Sequence, residues 1–257
     1  MTPVFIVERT LDSMWFNLLS EVWNKGSKTH IDTGSFAGSN RLEFDFVAGT
    51  IKFPATRPLS PIVPDGVPPV TTEEDIEKYF VNYIMDGNLD VNEHYRYSTW
   101  ISGGDYVIPI FNSAIVNNVT TKWSGTFVVK VPNQVQWCID HYKKKGFGNN
   151  HCYIQVGYPE SNLAYDRPYT DEASRGTSPC LRGIDTKILD GVLHLHAYFR
   201  SWDLFAGFPE NMGGILLLME YMANELGVEV GTLSFSSMKC HLYDSQLEAV
   251  KARLNIE

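Results

Sequence analysis

The chain of 257 residues is poor in cysteine, and none of it is paired in sequence. Its four cysteines, at 138, 152, 180 and 240, show no CxxC spacing. That argues against a disulfide framework and reads as reduced thiols, hence a cytoplasmic protein. No run of ~18 apolar residues is present, so no membrane-spanning helix and no membrane partner are expected. Residues 1–10 carry Glu8 and Arg9 within a short apolar run, which is not the pattern of a secretory leader. Positive charge is also short, with 21 Lys and Arg against 30 Asp and Glu and a formal charge of −9. Such a balance excludes a general nucleic-acid surface but not a small phosphate ligand, which needs only a few local donors. Internal repeats, low-complexity tracts and linker-like stretches are all missing. With 44% hydrophobic and 20% charged residues, one domain spanning 1–257 with a sizeable core is the simplest expectation.

Periodicity supplies the elements. Leu11, Met14, Trp15, Leu18, Leu19 and Val22 recur at helical spacing and Gly26 follows as a stop, predicting a helix over 10–25. Residues 42–53 alternate, with Leu42, Phe44 and Phe46 on one face, and predict a strand. Six prolines between 54 and 70 predict a loop. Thr72-Glu-Glu-Asp starts a helix expected to run to Met85, with Gly87 beyond it. Residues 106–130 read as one strand or more, 133–145 as a helix ended by Gly146, and 152–156 as a short strand. Two apolar runs, 181–189 and 192–200, flank Asp190-Gly191, a type I′ hairpin signal. Residues 211–226 are apolar nearly all round, which predicts a buried helix, and Gly227 would end it.

Polar groups strung along this apolar C-terminal half need a function, because burying them unpaired is costly. They are Pro179-Cys180, Arg200-Ser201-Trp202-Asp203, Gly207-Phe208-Pro209-Glu210-Asn211 and His241-Leu242-Tyr243. Cys180 to Arg200 is 20 residues, Arg200 to Asn211 is 11 and Asn211 to His241 is 30. In order and at these spacings, the four motifs resemble the catalytic half of the thymidylate synthase family, its nucleotide hydroxymethylase members included. Short archaeal-type members are the nearest likeness. The resemblance implies an α/β thymidylate synthase-like fold, a mixed sheet with flanking helices and a homodimer packed sheet to sheet. It implies 5,10-methylenetetrahydrofolate as cofactor and a pyrimidine nucleoside monophosphate as substrate.

The residue types suit those roles. A thiol attacks only as thiolate, and Cys180 is the implied nucleophile, with Arg200 as the nearby positive charge. Arg200 and Ser201 resemble phosphate ligands, since the guanidinium fork matches phosphate oxygens. His241 and Tyr243 stand two apart on a strand, face the same way and resemble the pair that holds a sugar hydroxyl. Asp203 resembles the carboxylate that accepts from the pterin ring, and Gly207 lets backbone approach the ligands. Asn211 resembles the base reader, because an amide matches the N3–H and O4 of uracil. Glu210 stands where bacterial synthases have an aromatic residue, and it could turn outward or alter base choice. Glu77 is the candidate for the family's acid/base glutamate.

His194 and His196 share a strand face, but no third ligand stands at a telling distance, so no metal is expected. Asn149-Asn150 replaces an arginine pair of the bacterial family; Arg41, Arg167, Arg175 and Arg182 are candidate substitutes. The sequence stops 14 residues after Tyr243, without the long closing segment of bacterial synthases. The product expectation therefore leans to 5-hydroxymethyl over 5-methyl, with dUMP favoured and dCMP or CMP as alternatives. A nucleotide-binding relative without activity and a thiol hydrolase are the other classes.

Overall fold

The computed structural model describes residues 2–33, 36–64, 66–86, 96–116, 119–159, 161–162 and 178–256. In chain order these form β1 (Pro3–Glu8), α1 (Leu11–Lys25), β2 (Ser27–His30), β3 (Asn40–Glu43), β4 (Phe46–Ile51) and α2 (Glu73–Tyr79), which continues into a π-helical turn at Phe80–Met85. Next come α3 (Ser98–Ile101), β5 (Gly104–Val116), β6 (Val119–Val131), α4 (Gln134–Lys145) and β7 (Tyr153–Gln155). The C-terminal part holds β8 (Leu181–Leu189), β9 (Val192–Phe199), β10 (Trp202–Asp203), α5 (Gly207–Leu226), β11 (Glu229–Ser237), β12 (Cys240–Tyr243), a 3₁₀ turn at Asp244–Gln246 and α6 (Leu247–Leu254).

A six-stranded mixed sheet, ordered β1-β4-β11-β9-β8-β7, is the frame. A smaller sheet, β10-β12-β3-β2, and the β5–β6 hairpin complete the strands among the described residues. Alternation along β9 sends Leu193, Leu195, Ala197 and Phe199 inward and leaves His194 and His196 on the other face. The inward face packs on α5, which also touches α1, α2 and α4. Being enclosed on several sides explains why α5 is apolar nearly all round. The opposite sheet face is not covered by a helix among the described residues, and Phe5 and Val7 on β1 are exposed there.

Caps follow the sequence signals. Thr10 and Thr72 each form a capping box, with Ser13 and Asp75. All six predicted α1 core positions are buried. Gly227 takes the left-handed conformation at the end of α5, with φ 65°.

Three expectations change. The single strand over 42–53 is two strands in two sheets: the Phe44 N–H donates to the Cys240 carbonyl at 3.0 Å, and the chain turns there to place β4 between β1 and β11. The long helix starts at Gly207, four residues before Asn211, because Pro209 falls in its first turn, where no N–H is required. The helix from Thr72 is α-helical only to Tyr79 and then widens, with the Asp86 N–H donating to the Val81 carbonyl five residues back. Gly87 lies outside the described residues.

Candidate active site

The β8–β9 hairpin carries Cys180 to Arg200. Asp190 and Gly191 both have positive φ, 50° and 76°, as a type I′ turn requires. The resulting register pairs Leu181 with Phe199, and the Arg200 N–H donates to the Cys180 carbonyl at 2.9 Å. The Arg200 guanidinium donates through Nε to the Pro179 carbonyl at 3.1 Å and through Nη2 to the Ser178 carbonyl at 2.5 Å. Arg182 Nη1 donates to Ser178 Oγ at 3.3 Å, and the Leu181 N–H donates to the buried Tyr97 hydroxyl at 3.2 Å. Hydrogen bonds thus fix the backbone on both sides of Cys180, and a cation sits on its turn. Cys180 itself is half-buried, whereas Cys138, Cys152 and Cys240 are buried. Burial pushes all three of those thiols up, away from thiolate. Ser201, half-buried, occupies the bend between β9 and β10.

The second wall comes from β10 and β12. Asp203 lies opposite His241 in their parallel pairing, and the Leu204 N–H donates to the His241 carbonyl at 2.8 Å. His241 Nδ1 is 2.9 Å from the Lys239 carbonyl oxygen, which can only accept, so Nδ1 carries the hydrogen. Nε2 is then a bare acceptor, buried and without a hydrogen-bond partner among the described residues. Burial holds the imidazole below its ordinary pKa, against the Lys239 hydrogen bond, and so keeps it neutral. The Tyr243 ring stands edge-on to it at 4.6 Å. Burial pushes the Tyr243 phenol up, and the charges of nearby acidic groups add to this. Arg41 lies opposite Tyr243 across the β12–β3 pair and makes an ion pair with Glu43 at 2.7 Å.

Asp203 is firmly held. Its Oδ1 accepts from the N–H groups of Phe205 at 2.9 Å and Ala206 at 3.2 Å, and Gln246 Nε2 donates to Oδ2 at 2.9 Å. Gly207 leaves a gap beside it: a Cβ there would touch Asn211 Oδ1 and the Asp203 Cβ at 3.5 Å.

Asn211, in the first turns of α5, forms the third wall. Its Oδ1 accepts from the Trp202 indole N–H at 2.9 Å, and its Nδ2 donates to the Tyr79 hydroxyl at 2.8 Å. Tyr79 reaches this position because α5 has no side chains where it crosses α2. A Cβ on Gly213 would lie 2.7 Å from Ile76 Cγ2, and one on Gly214 would lie 2.5 Å from the Tyr79 ring. Glu77, expected as the acid/base group, is exposed on α2, and the structure brings Tyr79 rather than Glu77 to Asn211. Glu77 stands two residues before Tyr79, so on an α-helix the two side chains point to different sides. Glu210 is half-buried; Thr71 Oγ1 donates to its Oε1 at 3.3 Å, and burial pushes its carboxyl up. It lines a polar cavity of about 260 Å³ with Asp75, Lys78, Tyr79, Asn82 and Arg96.

The structure therefore gathers Cys180, Arg200, Ser201, Asp203, Gly207, Asn211, His241 and Tyr243 from four separate chain segments, and leaves Glu77 outside. Arg182 and Arg41 stand at the edges of the site; Arg167 and Arg175 lie outside the described residues, while Asn149 and Asn150 line a cavity on the uncovered sheet face. Sequence reasoning missed Tyr79, Tyr83, Tyr97 and Gln246. Tyr79 and Tyr83 stack at 5.2 Å and Tyr83 meets Tyr97 edge-on at 6.4 Å, so a tyrosine series runs from Asn211 to the residue after Cys180. The i, i+4 spacing of Tyr79 and Tyr83 was the available signal.

The thymidylate synthase family model matches residues 131–257. A Methanosarcina mazei protein named "Putative thymidylate synthase" is 38% identical over 247 residues, covering 95% of this chain and 91% of that protein. A Methanosarcina barkeri protein of the same name is 38% identical over 73 residues, which is 28% of this chain and 34% of that protein. The solved structure of the thermostable thymidylate synthase A from Bacillus subtilis superposes with a TM-score of 0.61 at 14% identity, covering 96% of this chain and 85% of that one, so the fold is shared. The chain belongs to the thymidylate synthase family.

Proposed function

We propose that this protein transfers a one-carbon unit to C5 of dUMP from 5,10-methylenetetrahydrofolate, the donor used by its family, through covalent attack of Cys180 at C6. The observation that carries the reading is the run of contacts that joins the Cys180 turn through Arg200 to β10, and β10 through Asp203 to His241 and through Trp202 to Asn211, with the buried Nε2 of His241 left as an acceptor for a ligand hydroxyl.

C5 of a pyrimidine is a poor nucleophile. Adding a thiolate at C6 turns the C5–C4–O4 system into an enolate, whose C5 is a good one. In this reading Cys180 forms the C6–S bond, held by the Arg200 hydrogen bonds to its turn. Arg200, Ser201 and Arg41 face the phosphate, His241 Nε2 and Tyr243 hold the sugar hydroxyl, and Asn211 meets the base. Asp203 and Gly207 would hold the cofactor: Asp203 Oδ2 has a lone pair left to accept from a ring N–H, and the missing side chain at Gly207 would let the backbone approach. When bound, it supplies the one-carbon unit and can also supply hydride.

The names of the relatives favour the 5-methyl product. The 5-hydroxymethyl product is the second reading; the half-buried Glu210 carboxyl and the polar cavity it lines with Tyr79, the partner of Asn211, favour it by leaving polar groups near the base reader. The uncovered sheet face, with its exposed Phe5 and Val7, suits the homodimer expected from the sequence. Incubating the protein with dUMP and methylenetetrahydrofolate and weighing the nucleotide tests the reading. A gain of CH₂ marks methylation, with one dihydrofolate per turnover; a gain of CH₂O marks hydroxymethylation, with tetrahydrofolate as the other product. An unchanged nucleotide contradicts the proposal. Concentration-dependent light scattering tests the dimer, which a strictly monomeric mass would contradict.

A further inference from the structure

Asn211 reads a base only if its carboxamide keeps one orientation, since a half-turn exchanges acceptor and donor. Two side chains contact that amide, and they are chemically unequal. The Trp202 indole N–H can only donate, so the amide atom 2.9 Å away must be Oδ1. The hydroxyl of Tyr79 at 2.8 Å is a group type that can donate or accept, so this contact by itself does not assign the amide atom. The indole cannot turn aside. It is 2% exposed, lies flat on Phe199 with centroids 4.0 Å apart and planes at 4°, and is closed in by Phe208 at 4.8 Å and Phe235 at 5.4 Å.

We propose that Trp202 is the residue that makes this site specific for a 4-oxo pyrimidine, by locking the Asn211 amide with Oδ1 inward. The inference rests on the reading that Asn211 meets the base. Asn211 is half-buried, so its amide is still partly open. With the two contacts made, Oδ1 retains one lone pair and Nδ2 one hydrogen. Uracil presents N3–H, which donates to that oxygen, and O4, which accepts from that nitrogen. Cytosine presents a bare N3 and an amino group, and needs the amide reversed. Reversal would set Nδ2–H against the indole N–H, donor against donor, and leave both unsatisfied. Trp202 is a positioning residue here, since it acts on the base through Asn211.

The test compares dUMP and dCMP by isothermal titration and by kcat/KM with wild type, Trp202→Phe, Trp202→His and Tyr79→Phe. Phenylalanine removes the donor but keeps a ring on Phe199; histidine offers a nitrogen that can accept or donate, so it frees the amide even if the phenylalanine variant fails to fold. The expected result is a dUMP-to-dCMP ratio that drops by roughly tenfold or more in either Trp202 variant, with dCMP binding gained. Tyr79→Phe should weaken both nucleotides to a similar degree and leave the ratio in place. A wild type that selects dUMP while the Trp202 variants keep the same ratio overturns the inference alone. A wild type that binds neither nucleotide overturns the functional reading beneath it, and the inference with it.

Discussion

The two sides of Asn211 were built by different rules. On one side, Cys180, Arg200, Asp203 and His241 hang from strand ends, and their places follow from hairpin register and strand pairing. A strand repeats every two residues, so a spacing counted in sequence becomes a position in space with little freedom. On the other side, Tyr79 is the last residue of α2, just before the backbone widens into a π turn. One added residue in a turn rotates the rest of the helix by about 100°, so a sequence count no longer says which side chain faces inward. Motif spacing therefore translates into neighbouring positions on the strand side, whereas on the helix side it does not set which residue meets Asn211.

The largest expected effect lies on the strand side. Cys180→Ser should lower turnover more than a hundredfold, at least ~2.7 kcal/mol of transition-state stabilisation, with an unchanged circular dichroism spectrum. The same change at Cys138, Cys152 or Cys240 should leave kcat within a few-fold, because burial keeps those thiols protonated. Comparable losses at all four positions would erase the distinction.

Next in size is Asn211→Asp, where the two sides meet. A protonated carboxyl can offer its hydroxyl to N3 of cytosine and its carbonyl to the amino group, so the dUMP-to-dCMP ratio of kcat/KM should move towards cytosine by roughly a hundredfold. Retention of the wild-type ratio would remove Asn211 as the base reader.

Smaller effects come from the titrating groups. His241 has its pKa depressed by burial. Above the ordinary value of 6.5 both folded and unfolded chains hold it neutral, and it adds no pH dependence. As pH falls below that value the unfolded chain takes the proton first, and the fold loses stability. His196 is shifted the same way by burial, so His241→Gln should flatten part of the acid-side loss in denaturation midpoint, not all of it. Glu210 has the opposite sign. Its raised pKa means that the folded chain holds a proton longer, so stability falls as pH rises through that range. Glu210→Gln should raise the midpoint slightly at neutral pH, and a lower midpoint would show the charge to be stabilising.

Smallest of all should be Glu77→Gln. On an exposed helix face its kcat/KM is expected within twofold of wild type, whereas Tyr79→Phe, two residues on, should weaken nucleotide binding. A large loss at Glu77 would place the reacting group back on α2.

Legibility followed the same division. The α1 core, the Asp190-Gly191 hairpin and the Gly227 end of α5 were readable because each depends on local period or on a single backbone conformation. The break at Phe44 was not, since alternation continues through it and only the bond to the Cys240 carbonyl, far along the chain, turns the strand. Gln246 was invisible for a related reason: a glutamine after a strand carries no sign that it will lock Asp203. Trp202 stands within a recognisable motif, yet its role depends on an amide nine residues away across a turn.

The most direct test of Cys180 as nucleophile is release of tritium from [5-³H]dUMP. Wild type with methylenetetrahydrofolate should release it at the rate of turnover, because C5 must lose its hydrogen after the thiolate adds at C6, and Cys180→Ser should release none above background. Equal release by the serine variant, or none by wild type under conditions where both substrates bind, would contradict that assignment.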